Sequence, residues 1–149
     1  ITDQLWVSIG YSYVDAKLTN ASPPSGVPAG TYPDDAKLPG APDHNATLAL
    51  QYEQPLKSGL GLTYGLSAFY RGEAETALAT YNNQTADDFL TLDASLALNS
   101  DQWQIKAAVS NLANEKGIFG YPNPESWGDW ASSSVVRPRT VSVNLTYEF

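Results

Sequence analysis

From Thr140 to Phe149 the chain alternates without a break between polar and apolar side chains. Val141, Val143, Leu145, Tyr147 and Phe149 take one parity, and Thr140, Ser142, Asn144, Thr146 and Glu148 take the other. Successive side chains of a strand point to opposite faces, so this stretch predicts a strand with one apolar and one polar face. Two architectures use such strands. A soluble antiparallel sheet turns the apolar face to a core. A membrane barrel turns it to lipid and keeps the polar face inside. A final aromatic on the apolar parity is expected of the barrel and has less reason to exist in the soluble sheet.

The same period recurs five times upstream. Leu5, Val7, Ile9, Tyr11 and Tyr13 alternate with Ser8, Gly10 and Ser12, which predicts a first strand from about Gln4 to Leu18. Ala46 to Tyr52, Leu60 to Arg71, Leu90 to Asn99 and Trp103 to Ser110 repeat the pattern, and no helical period competes with it. Internal Gly, Thr, Ser and Tyr also disfavour helix. The charged residues Arg71, Asp93, Lys106 and Glu148 all fall on the polar parity. Trp6, Tyr13, Tyr52, Tyr70, Trp103 and Tyr147 gather near strand ends, where half-polar rings form girdles at headgroup level. The competing reading is a soluble secreted β-sandwich with the apolar parity on its inner faces.

Composition removes several function classes. The 149 residues contain no Cys, so disulfides and thiolate chemistry are excluded. They contain no Met either, so the chain is not expected to begin at a natural start. A net charge of −8 argues against gripping nucleic acid through its phosphates. A mean hydropathy of −0.29 does not argue against a barrel, because only alternate residues meet lipid. The single His44 leaves no His pair for a metal and no triad, so a framework role is expected of it. Asp34, Asp35 and Asp43 have the oxygen chemistry of a Ca²⁺ site, but a solvated acidic loop explains them as well. Catalytic residues, metals and cofactors are therefore expected to be none. An outer-membrane hydrolase would need a Ser/His pair within the strands.

The connections alternate in length. Gln54–Gly59 and Asn99–Gln102 are short turns, whereas about 19–42, 72–88 and 112–136 are long. This puts all long loops at one end of the sheet, the plan of short periplasmic turns and longer extracellular loops. Phe149 then lies at the short-turn rim.

Three stretches together resemble the C-terminal part of a TonB-dependent outer-membrane receptor. Leu38-Pro39-Gly40-Ala41-Pro42-Asp43-His44 is similar to that family's PGAP-x-H stretch before a strand. Val109-Ser110-Asn111-Leu112-Ala113-Asn114-Glu115-Lys116 is similar to its strand exit, and Arg137-Pro138-Arg139-Thr140 through Phe149 to its closing strand. The implied fold class is all-β: an antiparallel transmembrane β-barrel segment of six strands within a larger barrel of roughly 22. Residues 1–149 would form the C-terminal portion of that barrel, with no plug domain in this chain.

The resemblance implies uptake of a scarce ligand (a siderophore, haem, cobalamin or an oligosaccharide) across the bacterial outer membrane. The implied partners are outer-membrane lipid and lipopolysaccharide, the rest of the barrel and plug, and TonB through an N-terminal part not present here. The barrel-assembly machinery is a further one, reading Tyr147 and Phe149 as its signal by strand addition. Ligand contacts are expected in the long loops, from Phe119, Tyr121, Trp127 and Trp130 in the third and Tyr81 in the second. Those rings would otherwise pack the loops or join the girdle. A small structural or adhesive outer-membrane barrel is the other membrane reading.

Overall fold

Six strands pair in chain order into one antiparallel sheet. The computed structural model of the chain describes residues 4–19, 25–57, 59–80, 83–120 and 134–149. Its strands are β1 (Leu5–Tyr13), β2 (His44–Pro55), β3 (Gly61–Arg71), β4 (Ala74–Glu75), β5 (Thr85–Ala86), β6 (Phe89–Asn99), β7 (Trp103–Ser110), β8 (Ile118–Gly120), β9 (Ser134–Val135) and β10 (Thr140–Tyr147). The sheet order is β1-β2-β3-β6-β7-β10, while β4–β5 and β8–β9 are separate small hairpins. The six sheet strands run 8 to 12 residues. A tilted strand needs about 9–11 residues to cross a bilayer.

The register keeps the two parities apart across the whole sheet. Val7, Leu50, Leu66, Ala94, Val109 and Val141 stand in one cross-strand row. The neighbouring row, on the other face, is Trp6, Gln51, Gly65, Ser95, Ala108 and Ser142. A slip of one residue in any strand would put its apolar set on the polar face, so this register is strongly specified.

Among the described residues, no second layer covers the apolar face. Ile9 is 77% exposed and Val143 and Leu145 are each 71% exposed. Among the described residues, the buried apolar ones are Ala74, Ala79, Ala86, Phe89 and Ala97. A β-sandwich would cover the apolar face with a second sheet about 10 Å away, and none stands there among the described residues. The sandwich reading therefore fails. Among the described residues the sheet is also open, since β1 pairs only with β2 and β10 only with β7. In hydrocarbon each unpaired backbone group would cost on the order of several kcal/mol, so open edges of this kind would need pairing partners there.

Several expectations change in detail. The first strand ends at Tyr13 rather than near Leu18. Beyond it the pairing continues in broken form, through Val14 N–H to Asp43 O, Leu38 N–H to Ala16 O and Leu18 N–H to Ala36 O. Asp35 belongs to this stretch, its N–H donating to Leu18 O at 3.0 Å from a left-handed backbone at φ 67°. The closing strand begins at Thr140, where the alternation begins, and ends at Tyr147 rather than Phe149. Pro138 has no N–H to give, and the Arg139 N–H goes to Asn114 Oδ1 instead. Trp6 is not a girdle residue, because it pairs with Gln51 on the polar face.

Candidate functional site

The three long loops converge on the polar end of β3. Arg71 closes that strand in a row with Asn45 and Phe89. At the next residue the chain must pass close to β2. A Cβ at Gly72 would meet the His44 backbone, and its N–H donates to His44 O at 2.8 Å. Glycine permits this approach and lets the second loop fold inward. There β4 and β5 pair, and Ala74, Ala79, Ala86 and Phe89 form the small buried core.

Arg71 ties the loops together. It is 5% exposed, and its Nη2 donates to Gly40 O of the first loop (3.3 Å) and Phe119 O of the third (3.4 Å). The guanidinium carbon lies 5.7 Å from the centre of the Phe119 ring, a cation–π distance. Phe119 in turn meets Phe89 edge-on at 5.1 Å, and Phe89 meets Phe69 at 6.2 Å. Gly117 allows this packing, since any Cβ there would overlap the Phe89 ring. The first and second loops are further joined by Gly40 N–H to Glu75 O and Thr80 N–H to Thr31 O.

The base of the third loop is built around Asn111. Its backbone N–H donates to Asp93 Oδ1 at 2.7 Å. Its Nδ2 donates to Glu115 O and Arg137 O, and its Oδ1 accepts from Glu115 N–H. Asn111 and Asn114 both have left-handed backbone, at φ 51° and 56°, which Asn tolerates better than most residues. The sequence signal for this hub is Asn111-Leu112-Ala113-Asn114, legible as a family-like stretch but not as a hydrogen-bond centre.

The charges expected along the polar face divide. Arg71 is buried beneath the loops, and Asp93 caps the exit of β7. Lys106 and Glu148 form no ion pair among the described residues. Below the loops, Ala49, Gly65, Ser67, Ser95, Ala108 and Ser110 leave a shallow open trough of about 300 Å³. On the opposite face the Tyr11 hydroxyl and His44 Nδ1 are hydrogen-bonded at 2.9 Å, and the His44 ring lies against Tyr13.

In the first loop Lys37 is hydrogen-bonded and ion-paired to Asp43. That hydrogen bond holds the Lys37 ammonium above its usual range and the Asp43 carboxyl below its own. The second ion pair of the described residues, Lys17 with Asp15, is also local to this loop.

Of the five residues expected to meet a ligand, Phe119 lies at the loop junction. Tyr81, Tyr121, Trp127 and Trp130 lie outside the described residues. At the other end of the sheet Tyr147 faces outward opposite Trp103, with the exposed Phe149 ring 5.0 Å from it. No group of three or more metal-ligating side chains occurs among the described residues.

Comparison with known proteins gives this geometry its context. The family described as "TonB dependent receptor-like, beta-barrel" matches residues 2–112. No curated protein matches the sequence. Among solved structures, the siderophore receptor PiuA from Acinetobacter baumannii matches with a TM-score of 0.78 at 22% identity, over 99% of this chain and 20% of that one. The ferric-catecholate import receptor Fiu from E. coli K12, in its closed form, matches with a TM-score of 0.73 at 20% identity, over 100% of this chain and 19% of that one. The chain thus spans about one fifth of each receptor's length. At these identities the likeness is one of fold.

Proposed function

The chain belongs to the TonB-dependent receptor β-barrel family, and from that premise we propose that it forms the C-terminal part of a receptor that imports a scarce ligand across the bacterial outer membrane. The observation that carries this reading is the division of the sheet. Among the described residues its apolar face is uncovered, its polar face carries mostly small, hydrogen-bonding and charged side chains with Trp6 among them, and its long loops leave from one end. A barrel wall between lipid and a polar lumen has these properties.

The family's plan supplies the remaining parts. Further strands close the barrel, a plug gates it, and TonB drives the passage of the ligand. The lipid contacts are outer-membrane lipid and lipopolysaccharide. A siderophore is the favoured ligand class, because both structural relatives are described as siderophore or ferric-catecholate receptors. Haem, cobalamin and an oligosaccharide are the other members of the set.

Ligand selection falls to the long loops, with Phe119, Tyr121, Trp127 and Trp130 in the third and Tyr81 in the second. Aromatic rings there suit an aryl or sugar ligand by stacking. The test uses the full-length receptor. Its binding to ferric catecholates, haem, cobalamin and oligosaccharides is measured, then repeated after Trp127→Ala and Trp130→Ala together. Tight binding of one class, weakened at least about tenfold by the double variant, supports the reading, a loss of about 1.4 kcal/mol. Unchanged affinity removes those two rings from the ligand site. No binding of any class removes the uptake reading.

A further inference from the structure

Arg71 combines features not explained by its position in a barrel wall. It is 5% exposed, yet its Nη1 has no hydrogen-bond partner. Among the described residues no carboxylate stands within ion-pair distance of it. Its Nη2 makes two bonds, both to neutral backbone carbonyls and both long, at 3.3 and 3.4 Å. A buried, charged N–H without an acceptor is costly, and guanidinium has its strongest partners in oxyanions, which take two parallel N–H···O bonds. The present arrangement is therefore one that an oxyanion would displace.

We propose that Arg71 is an oxyanion site, and that filling it releases the first and third long loops from each other. The oxyanion is carboxylate-like. It engages Nη1 and Nη2 as a fork, and Nη2 then leaves the carbonyls of Gly40 and Phe119. Those two carbonyls are where Arg71 joins the loops, so their release lets the β8–β9 hairpin and the first loop move apart. Phe119, stacked over the guanidinium, moves with its loop. The oxyanion has two possible sources: a solute entering the loop end, or a carboxylate elsewhere in the full-length receptor. The first source rests on the uptake reading above, and the second does not.

The test uses the full-length receptor in detergent, with spin labels on cysteines placed at the exposed positions Pro39 and Lys116. The probe is benzoate, with benzamide as its uncharged isostere. With a solute source, benzoate lengthens the inter-label distance and benzamide does not. Arg71→Met abolishes the response. Arg71→Lys, which keeps the charge but loses the fork, needs about tenfold more benzoate. Folding of each variant is checked by heat-modifiable electrophoresis, and if Arg71→Met does not fold, Arg71→Lys alone carries the comparison.

With an internal source, benzoate has no effect, and a structure of the full-length receptor shows a protein carboxylate on Nη1. No benzoate response together with no carboxylate on Nη1 overturns the proposal. An equal response to benzamide also overturns it. A benzoate response in a receptor that imports nothing would leave this site standing while removing the uptake reading.

Discussion

The side-chain amide of Asn111 donates to the backbone carbonyl of Arg137 at 2.9 Å, joining the two ends of the third long loop. One buried residue thus holds the base of a loop more than twenty residues long, through two Nδ2 bonds and one to Oδ1.

Asn111→Ala should release that base. It removes three hydrogen bonds and leaves part-buried backbone groups without partners, at a cost on the order of 2–3 kcal/mol. Asn111→Asp should cost at least as much, since it keeps the Oδ1 acceptor but sets a charged acceptor against the carbonyls of Glu115 and Arg137. Limited proteolysis of the full-length receptor checks this. Cleavage within residues 112–136 should rise above wild type in both variants.

Gly117→Ala should disturb the junction of Phe89, Phe119 and Arg71, because the new methyl would overlap the Phe89 ring. Overpacking of this kind costs about 1–3 kcal/mol. Gly61→Ala is the control, since a Cβ there meets nothing within 4 Å. Thermal unfolding of both variants should separate them, with Gly117→Ala alone losing stability.

The Lys37–Asp43 pair makes the first loop sensitive to acid. Its hydrogen bond holds the Asp43 carboxyl below the usual carboxylate range. The stabilisation is therefore present above the ordinary carboxylate pKa and is lost as pH falls through the lowered one. At the alkaline end Lys37 is held above its usual value, so the pair survives until pH rises through that raised value. Hydrogen exchange reports this at Val14, whose N–H donates to Asp43 O. After correction for the intrinsic rate, exchange should accelerate below the carboxylate range in the wild type. Asp43→Asn should show no such acid step.

Deleting Phe149 should reduce outer-membrane insertion if Tyr147 and Phe149 are read during assembly. The two rings already form an exposed edge-to-face pair at the end of the closing strand. The amount of heat-modifiable receptor in the outer-membrane fraction measures the effect. Wild-type insertion of the truncated chain would remove the signal reading.

The strands were legible in the sequence because their period is a local property. Alternation in Leu90–Asn99 or Trp103–Ser110 depends only on which side of a pleat each residue takes, and both strands stand as expected. The loop parity was legible for the same reason. The junction at Arg71 was not. Arg71, Gly40, Phe89 and Phe119 are distant in the chain and meet only because three loops fold to one end, a relationship with no period. The hairpins β4–β5 and β8–β9 have strands of two and three residues, too short to show alternation. Trp6 was misplaced because residue type suggested a girdle, whereas its parity, which the structure follows, put it on the polar face.

The central claim is that Leu66 meets lipid and its neighbour Ser67 meets the lumen. Nitroxides placed singly at these two positions in the full-length receptor, reconstituted in liposomes, test it by collision with oxygen and with a water-soluble nickel complex. Leu66 should favour oxygen and Ser67 the nickel complex or neither. Equal profiles at the two sites, or nickel preferred at Leu66, would contradict a barrel wall with its apolar face in the membrane.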